Sequence, residues 1–181
     1  MDELKILNIG EKFMFKGYEW VCLDKDDEGI FAITTNFWQS MPFDVDNHNN
    51  WEKSSLRRVL NSEFLDIIGR ENLVKIKSDL IADNGDKTYG ATEDYITILS
   101  CDQYRKYRDV VPRYSDDYMW TLTPWSCDSG NGYNVRTVDP TGSINLTIAY
   151  DAIGVAPACK FSSAHLKLCR QAQLVEVDEN V

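Results

Sequence analysis

The sequence MWTLTPWSCDSGNGYNVRTVDPTGSINLTIAYD, residues 119–151, alternates short apolar runs with Asp, Asn, Gly and Pro. Runs rich in Val, Ile, Thr and Trp that are separated by such residues predict short β-strands joined by turns. Aromatic, amide, hydroxyl and glycine residues crowd into the turns, whereas histidine, lysine and paired catalytic carboxylates are missing. We therefore expect a twisted antiparallel sheet whose loops present a binding surface.

More strands are expected around this stretch. The segments YMWTLT, GYNVRTVD, SINLTIAY and GVAPACKF each fit a strand. Near the amino terminus, KFMFKGYEWVCLD and IFAITT flank the charged, glycine-ended turn KDDEG, which predicts a β-hairpin over residues 12–35. The connector NFWQSMPFDVDNHNN, which contains Pro42, favours turns over regular structure. We expect the hairpin to begin the fold and the last strands to close back on it.

Two helices are expected between the hairpin and the later strands. In WEKSSLRRVLNSEFLDIIG, residues 51–69, Ser54 or Ser55 is placed to cap the start and Gly69 to end the helix. The apolar residues at helical spacing are Leu56, Val59, Leu60, Phe64, Ile67 and Ile68. The second helix is CDQYRKYRDV, with a capping-box pattern at Ser100 and Gln103 and a stop at Pro112.

The remaining segments are less regular. ENLVKIKSDLIAD fits either a short helix or a strand, NGDKTYGATED fits a long polar loop, and YITILS fits a short buried strand. The acidic tail VEVDENV is expected to fray. Because the 181 residues contain no repeat, low-complexity segment or linker, they predict one α+β domain over 1–181, with peripheral termini at 1–10 and 170–181.

Charge and hydropathy restrict the partners. Nineteen basic and 29 acidic side chains leave a formal net charge of −10, which repels phosphate backbones and anionic lipid surfaces. No apolar run approaches the roughly 20 residues of a membrane-spanning helix. The acidic amino-terminal sequence MDELKILNIGEKFMF lacks the features of a secretion signal. We expect neither nucleic acid nor a membrane as partner, and a chain that is cytoplasmic as synthesised or was cut from a longer product.

Signatures of catalysis are weak. The five cysteines form no CxxC pair and are expected to be reduced. Cys22 and Cys159 lie in apolar strands, and Cys127, in a polar loop, is the one candidate for reactivity. The histidines His48 and His165 have no nucleophile at a suggestive spacing, and the sequence contains none of the common hydrolase, nucleotide or zinc-protease motifs. We expect no enzymatic activity.

Residues 44–52, DVDNHNNWE, are rich in the oxygen ligands that calcium prefers. The spacing departs from an EF-hand, because His48 stands where the third ligand belongs, no glycine follows it, and Ser55 replaces the bidentate glutamate. A turn explains this composition. We expect neither a metal nor another cofactor.

Five segments, in order, resemble one family. FKGYEWVCLD, NWEKSSLRRVLNSEF, YITILSCDQYRKY, MWTLTPW and DAIGVAPACKF are similar to the bacterial and phage family DUF6273. In that family a W…SSLR.WLN..F helix precedes LLS..E..KY, WWLRSP and GVRPAL segments. The resemblance runs from about Gly10 to about Phe161. Leu122 and Ala156 stand where the family has arginine, so any role of those arginines is absent here.

The closing order of a Trp strand, a polar segment and a G-V-x-P-A strand is also similar to C-type-lectin-like folds. These include formylglycine-generating enzymes and the variable proteins of diversity-generating retroelements, whose polar segment displays the ligand-contacting residues. The resemblance implies a C-type-lectin-like α+β fold, with a twisted antiparallel sheet, an N-terminal hairpin, two or more helices and long C-terminal loops. It also implies a phage or mobile-element origin, which is compatible with association with virions.

The polar segment supplies the predicted ligand-binding surface, because Tyr and Trp give contact area at low rotamer cost and Asn, Ser and Gly give adaptable hydrogen bonds. The predicted site comprises Tyr114, Asp116, Asp117, Tyr118, Trp125, Asp128, Asn131, Tyr133, Asn134, Arg136, Asn145, Tyr150 and Asp151. Trp120 and Pro124 are assigned to the scaffold. The competing interpretation is a set of solvated turns beside core strands. The expected core residues are Val135, Val138, Ile144, Leu146 and Ile148.

We therefore predict a non-catalytic binding module for a protein or glycan ligand. Two alternatives stay open: an acidic intracellular inhibitor that occupies a basic groove of a host protein, and a structural assembly subunit whose aromatic loops make homo-oligomer contacts. Steep salt dependence of binding favours the inhibitor. Affinity that survives salt but is lost in Trp125→Ala or Tyr133→Ala favours the module.

Overall fold

Strands outweigh helices in the computed structural model, which describes residues 7–163. In chain order the strands are β1 (Lys12–Phe15), β2 (Tyr18–Lys25), β3 (Gly29–Thr34), β4 (Gln39–Pro42), β5 (Leu73–Val74), β6 (Ile76–Asp79), β7 (Ala91–Asp94), β8 (Ile96–Thr97), β9 (Met119–Pro124), β10 (Asn134–Val138), β11 (Ile144–Ile148), β12 (Ala152–Val155) and β13 (Ala158–Ser162). The α-helices are α1 (Ser55–Val59), α2 (Leu65–Ile68) and α3 (Cys101–Lys106). A π-helical segment, Leu60–Phe64, joins α1 to α2, and the short 3-10 turns Trp51–Lys53 and Arg70–Asn72 flank this region. The predicted α+β class is confirmed.

The strands form three sheets. The first runs β1-β2-β3-β13-β5, with β8 also pairing with β13, and the second runs β11-β10-β9-β12-β4. Strands β6 and β7 form a separate hairpin. Among the described strands, β9 and β12 pair in parallel and all other pairs are antiparallel. The pairing of β13 with β3 confirms that the last strand closes back on the first hairpin.

The first sheet is buried on both faces. On β2, Trp20 and Cys22 belong to one core, and Val21 and Leu23 belong to another, as the alternation of side chains along a strand requires. The helical region from α1 to α2 covers the first core, which also receives Trp120 from the second sheet. Helix α3 covers the second core. The first sheet is therefore the central layer, and the second sheet contributes side chains to both cores.

The first helical region begins and ends where the sequence predicts. Ser54 Oγ accepts the Arg57 N–H at 3.1 Å, and Gly69 ends the region with a φ of 85°, which glycine adopts at low cost. The assignment of Ile67 to the apolar face is wrong, because its side chain is 42% exposed. The π-helical segment explains the error, since its wider turn rotates every later residue away from the 3.6-residue period.

Helix α3 is shorter than predicted. Ser100 and Gln103 form the expected capping box at its start. The helix ends at Lys106 rather than at Pro112, because Tyr107 already departs from helical geometry, with φ of −103° and ψ of 15°. The Tyr107 hydroxyl donates to Asp24 Oδ2 at 2.6 Å, so a contact with β2 competes with continuation of the helix.

Two segments predicted as single strands are each divided. Lys16 and Gly17 both have positive φ, 51° and 83°, the geometry of a two-residue hairpin turn, so KFMFKGYEWVCLD forms both β1 and β2. A lysine in this conformation gives little sequence signal. GVAPACKF is divided at Pro157, which cannot donate to a ladder. The strands on its two sides, β12 and β13, therefore join different sheets.

Two segments predicted as irregular contain strands. The connector after the hairpin supplies β4, an edge strand whose last residue, Pro42, is tolerated because an edge needs no further ladder bond. The predicted polar loop ends in β7, which pairs with β6 from the ambiguous segment. The buried side chains of β7 are the polar Thr92 and Asp94, so apolar alternation could not reveal this strand.

The acidic tail VEVDENV, the predicted terminus 170–181 and His165 lie outside the described residues. Between residues 7 and 163, no helix combines the length and apolar character that crossing a bilayer requires.

A pH-dependent contribution to stability is expected from Asp24. Lys106 and Tyr107 donate to its carboxylate at 2.7 and 2.6 Å, and they hold the pKa of Asp24 below its usual value. A lowered pKa in the folded state gives stability that is present above the unfolded-state pKa of about 3.9 and is lost as pH falls through the folded-state value. Because Asp24 is partly exposed, the contribution is under about 1 kcal/mol.

Urea unfolding of Asp24→Asn should therefore differ from wild type at pH 7 and converge with it in acid, below the unfolded-state pKa of about 3.9. The exposed neighbour Asp27→Asn is the control and should follow wild type at both pH values. A difference in the free energy of unfolding between Asp24→Asn and wild type that grows in acid would contradict a lowered pKa of Asp24 in the folded protein.

Candidate functional site

The predicted site residues divide between the two ends of β9. Before the strand lie Tyr114, Asp116, Asp117 and Tyr118, and after it lie Trp125, Asp128, Asn131 and Tyr133. Asn134 and Arg136 are on β10, Asn145 is on β11, and Tyr150 and Asp151 follow β11. The scaffold assignment of Trp120 and Pro124 is confirmed, since both are buried in β9. The thirteen residues therefore do not form one continuous group along the strand.

At the amino-terminal end of β9, the tyrosine and aspartate side chains make contacts within the fold. The Tyr114 hydroxyl donates to the Thr34 carbonyl at 2.5 Å, and its ring stacks on Phe37 with centroids 4.4 Å apart. Burial raises the pKa of Tyr114. Asp117 accepts the Tyr118 N–H at 2.7 Å, whereas the Tyr118 side chain stays 38% exposed. This end offers single exposed side chains beside a cavity of only about 10 Å³, which Tyr114 and Asp117 help to line.

At the carboxyl-terminal end of β9, two loops enclose a groove of about 570 Å³. One loop contributes Asp46, Asn47, His48, Asn50 and Lys53, the other contributes Cys127, Asp128, Ser129, Gly132 and Tyr133, and Tyr89 completes the lining. Asp128 and Tyr133 are thus the two predicted site residues that line the groove. Tyr150 adjoins it, because its backbone N–H donates to Asn47 Oδ1 at 3.1 Å.

Asn49 holds the two loops together from beneath the groove. Its side chain is fully buried, and Nδ2 donates to the carbonyls of Ser126 at 2.9 Å and Asn134 at 2.8 Å, with Asn131 at 3.2 Å. Its Oδ1 accepts the Tyr89 hydroxyl at 2.8 Å. Both functions of one amide are therefore satisfied, as burial requires. This single side chain ties residues 126–134 to the loop that precedes the first helix.

Asp128 orders the tip of the second loop. Its carboxylate accepts the backbone N–H groups of Gly130 and Asn131, both at 2.9 Å, in the manner of an Asx turn. A hydrogen bond from the Ser126 hydroxyl, reinforced by the Asn131 side chain, lowers the pKa of Asp128. The loop therefore has a defined shape at the groove.

Trp125 lies beside the groove and is held by an arginine. The Arg136 guanidinium sits 4.5 Å from the centroid of the Trp125 ring and also pairs with Asp83. The backbone N–H of Trp125 donates to the Asn134 carbonyl at 3.0 Å. The indole is 36% exposed, so it combines a fixed position with surface that a ligand can contact.

The oxygen-rich loop at residues 44–52 serves as a turn. Asp44 is buried and accepts the Ser55 N–H at 3.0 Å and the His48 N–H at 3.1 Å, and its carboxylate also faces His48 Nδ1 at 3.1 Å. Asn50 caps the 3-10 turn that follows. Throughout residues 7–163, no group of three or more His, Cys, Asp or Glu side chains is arranged to hold a metal ion.

The groove contains one thiol and one phenol with altered acidity. Burial raises the pKa of the Cys127 thiol, with a further increase from the Asp86 carboxylate. A raised thiol pKa reduces the thiolate fraction, so the reactivity suggested for Cys127 is not supported by its surroundings. Burial also raises the pKa of Tyr89. Cys22, Cys101 and Cys159 are also free, as expected for reduced thiols, and all three are buried, whereas Cys169 lies outside the described residues.

The prediction of core residues on β11 is wrong. Val135 and Val138 on β10 are buried, as predicted, but Leu146 and Ile148 are 37% and 40% exposed and Ile144 is half-buried. The buried face of β10 carries Val135 and Thr137, and their partners in register on β11 are Thr147 and Asn145. Leu146 and Ile148 therefore lie on the outer face of the sheet, whereas Ile144, opposite the buried Val138, packs against the second core.

Several residues at the groove were not predicted as site residues from the sequence. Asn47, Asn49 and Asn50 were interpreted as a turn, and Tyr89 as part of a polar loop. Asn47 has a φ of 59°, which asparagine tolerates better than most residues, so the cluster of asparagines did signal unusual backbone geometry. No signal in the sequence indicated that this cluster would meet residues 126–134.

The fold and the groove define a mixed α+β protein, built mostly of antiparallel sheet, with an open groove between two ordered loops. No protein-family model matches the chain, and neither a curated protein nor a solved structure shows significant similarity to it. The resemblances to DUF6273 and to C-type-lectin-like folds therefore stay predictions.

Proposed function

We propose that this protein is a non-catalytic binding module that holds a protein or glycan ligand in the groove between residues 46–53 and 127–133. The observation that carries the proposal is the groove of about 570 Å³, whose two walls are tied together by the buried Asn49. Binding sites gain affinity when their walls are ordered before the ligand arrives. The groove meets this condition.

The lining suits recognition by stacking and hydrogen bonding. Tyr133 is 41% exposed, which leaves its ring available to a ligand. The groove is also lined by the amides of Asn47 and Asn50, the hydroxyl of Ser129 and the carboxylate of Asp46. Such a mixture of one aromatic platform and several polar groups is typical of adaptable paratopes. Trp125 and Tyr150 extend the contact surface beyond the groove.

The finer fold assignment belongs to the same proposal. A C-type-lectin-like arrangement is supported by the pairing of β13 with β3 and by the loops that follow β9, which carries the buried Trp120. Membership of a DUF6273-like phage or mobile-element family is supported by the order of the five similar segments. Neither assignment is needed for the groove itself.

A ligand screen with two matched tyrosine variants tests the proposal. The full chain is applied to an array of neutral oligosaccharides and to a display library of folded bacterial proteins, and the binders are titrated at low and high salt. Tyr133→Ala should weaken a binder that uses the groove at least about tenfold, the size expected for an aromatic contact at the centre of a site.

Tyr118→Ala is the matched control, because Tyr118 has similar exposure but lies at the opposite end of β9. Its affinity should equal that of wild type. Equal losses in both variants would contradict a site in the groove. An affinity that falls steeply with salt and is unchanged in Tyr133→Ala would support the acidic inhibitor instead.

A further inference from the structure

Strand β11 is an unprotected edge of the second sheet. Among the described strands it pairs with β10 alone. Its sequence, INLTI, contains neither charge nor proline, the residues that usually protect an edge from further pairing. The opposite edge strand, β4, ends in Pro42. The fold thus leaves one of its two edges in the second sheet open to another strand.

The ladder to β10 shows which backbone groups of β11 are free. The Ala149 N–H donates to the Tyr133 carbonyl and the Asp139 N–H to the Ser143 carbonyl, at 2.8 and 2.9 Å. In an antiparallel pair, hydrogen-bonded and non-hydrogen-bonded residue pairs alternate. Asn145 and Thr147 therefore bond to β10, whereas Ile144, Leu146 and Ile148 direct their N–H and C=O groups away from it.

One of these outward groups is engaged. The Ile148 carbonyl accepts the Asp151 N–H at 3.0 Å, at the end of the strand. Within residues 7–163, the N–H and C=O groups of Ile144 and Leu146 have no backbone partner and remain for an incoming strand, together with the Ile148 N–H. This pattern is the template that β-augmentation uses.

The side chains of β11 set the pattern that an added strand would need. Leu146 and Ile148 are 37% and 40% exposed on one face, and Asn145 and Thr147 lie on the other. An added strand would place apolar residues beside the first pair and polar residues beside the second, since neighbouring strands share their faces. A segment of alternating apolar and hydroxyl residues meets both requirements.

Charge determines which segment fits. Acidic residues flank β11 at both ends: Asp139 accepts from Asn145 Nδ2 at 3.1 Å, and Asp151 is bonded to the Ile148 carbonyl. Arg136 is paired with Asp83, and Arg108, which donates to the Gly142 carbonyl at 3.1 Å, is one basic side chain near the first end, so the two carboxylates outnumber it. A second copy would bring its own acidic ends to the same positions, and both molecules carry a net charge of −10. The acidic sequence VEVDENV is disfavoured for the same reason.

We propose that β11 binds an extended segment of a partner protein as an added strand, with alternating apolar residues in its middle and basic residues at its ends. The inference rests on the backbone of β11 and is independent of the groove. Main-chain hydrogen bonds would supply the affinity. The exposed side chains of Leu146 and Ile148 would set the register of the added strand, and the flanking carboxylates would favour basic residues at its ends.

The first test uses the wild-type chain and the synthetic peptide KKVTVTVKK. Amide hydrogen exchange is followed by NMR with and without the peptide. Without it, the Leu146 amide should exchange much faster than those of Asn145 and Thr147, which are bonded to β10. With it, protection of the Leu146 amide should rise at least about tenfold.

The second test compares peptides and variants by fluorescence anisotropy. The charge-reversed peptide EEVTVTVEE should bind at least about tenfold more weakly. Leu146→Pro should weaken KKVTVTVKK by a similar factor of about ten, since it removes an outward N–H without removing a bond to β10. The control Tyr133→Ala alters the groove and should bind the peptide like wild type, which separates this proposal from the proposed function.

Several outcomes would overturn the inference. Unchanged Leu146 exchange at millimolar peptide would exclude an added strand, and this measurement needs no variant that has to fold. Equal binding of both peptides would exclude the stated charge preference. Protection of Leu146 that rises with protein concentration in the absence of peptide would identify a second copy as the occupant.

Discussion

Replacement of Asn49 by aspartate should lower the free energy of unfolding by about 3 to 5 kcal/mol, the range seen when a buried group is left with an uncompensated charge. The change keeps the size of the side chain and replaces the donating Nδ2 with a carboxylate oxygen. That oxygen would face the carbonyl oxygens of Ser126 and Asn134. In the wild-type protein these two oxygens accept hydrogen bonds from Asn49 Nδ2 at 2.9 and 2.8 Å. Urea unfolding at pH 7 measures the effect.

Asn145→Asp provides the comparison at an exposed amide with a single hydrogen bond, to Asp139. Its effect should stay within about 1 kcal/mol, because water solvates both carboxylates. Asn49→Asp should also abolish binding of any ligand of the groove, whereas Asn145→Asp should not. Equal destabilisation by the two variants would show that Asn49 does not hold the loops.

Replacement of Asp94 by alanine should cost about 3 kcal/mol, at the lower end of the range for breaking a buried ion pair. The carboxylate of Asp94, only 3% exposed, accepts Trp51 Nε1 at 3.1 Å and Arg57 Nε at 2.8 Å. Its removal leaves the buried Trp51 Nε1–H and the partly buried Arg57 guanidinium without their acceptor. The Arg57 side chain is 26% exposed and regains some water, which keeps the cost from being larger.

Glu93→Ala is the matched control, one residue away on β7 and exposed. It should change the free energy of unfolding by no more than about 0.5 kcal/mol. Near-UV circular dichroism of Asp94→Ala should also show a changed Trp51 signal. If Glu93→Ala proved as harmful as Asp94→Ala, the strand rather than the ion pair would be the source of the stability.

Local signals in the sequence located the starts of both helical regions and the end of the first, although α3 ends earlier than predicted. The caps at Ser54, at Gly69 and at Ser100 with Gln103 involve atoms only a few residues apart. Such caps therefore depend on the local sequence and not on the tertiary fold. The same locality explains the errors. The π-helical segment and the turn at Lys16 depend on tertiary packing and carried no local signature.

The candidate site was only partly predictable for a related reason. Composition indicated that residues 114–151 are rich in binding chemistry, and two of the thirteen named residues, Asp128 and Tyr133, line the groove. The opposite wall comes from residues 46–53, which the sequence identified only as turns. Asn49 lies 77 and 85 residues from the carbonyls it holds, beyond the reach of any local pattern.

The sequence by itself determined the α+β class, the caps of the helices and most of the strands, because propensity and alternation are properties of neighbouring residues. Tertiary structure alone decided which face of β11 meets water and which loops share a groove. Alternation gives a strand two distinct faces, but only the packing of another layer selects the one that is buried. Leu146 and Ile148 lie on a face that no described layer covers, and their exposure therefore could not be read from the alternation of β11 alone.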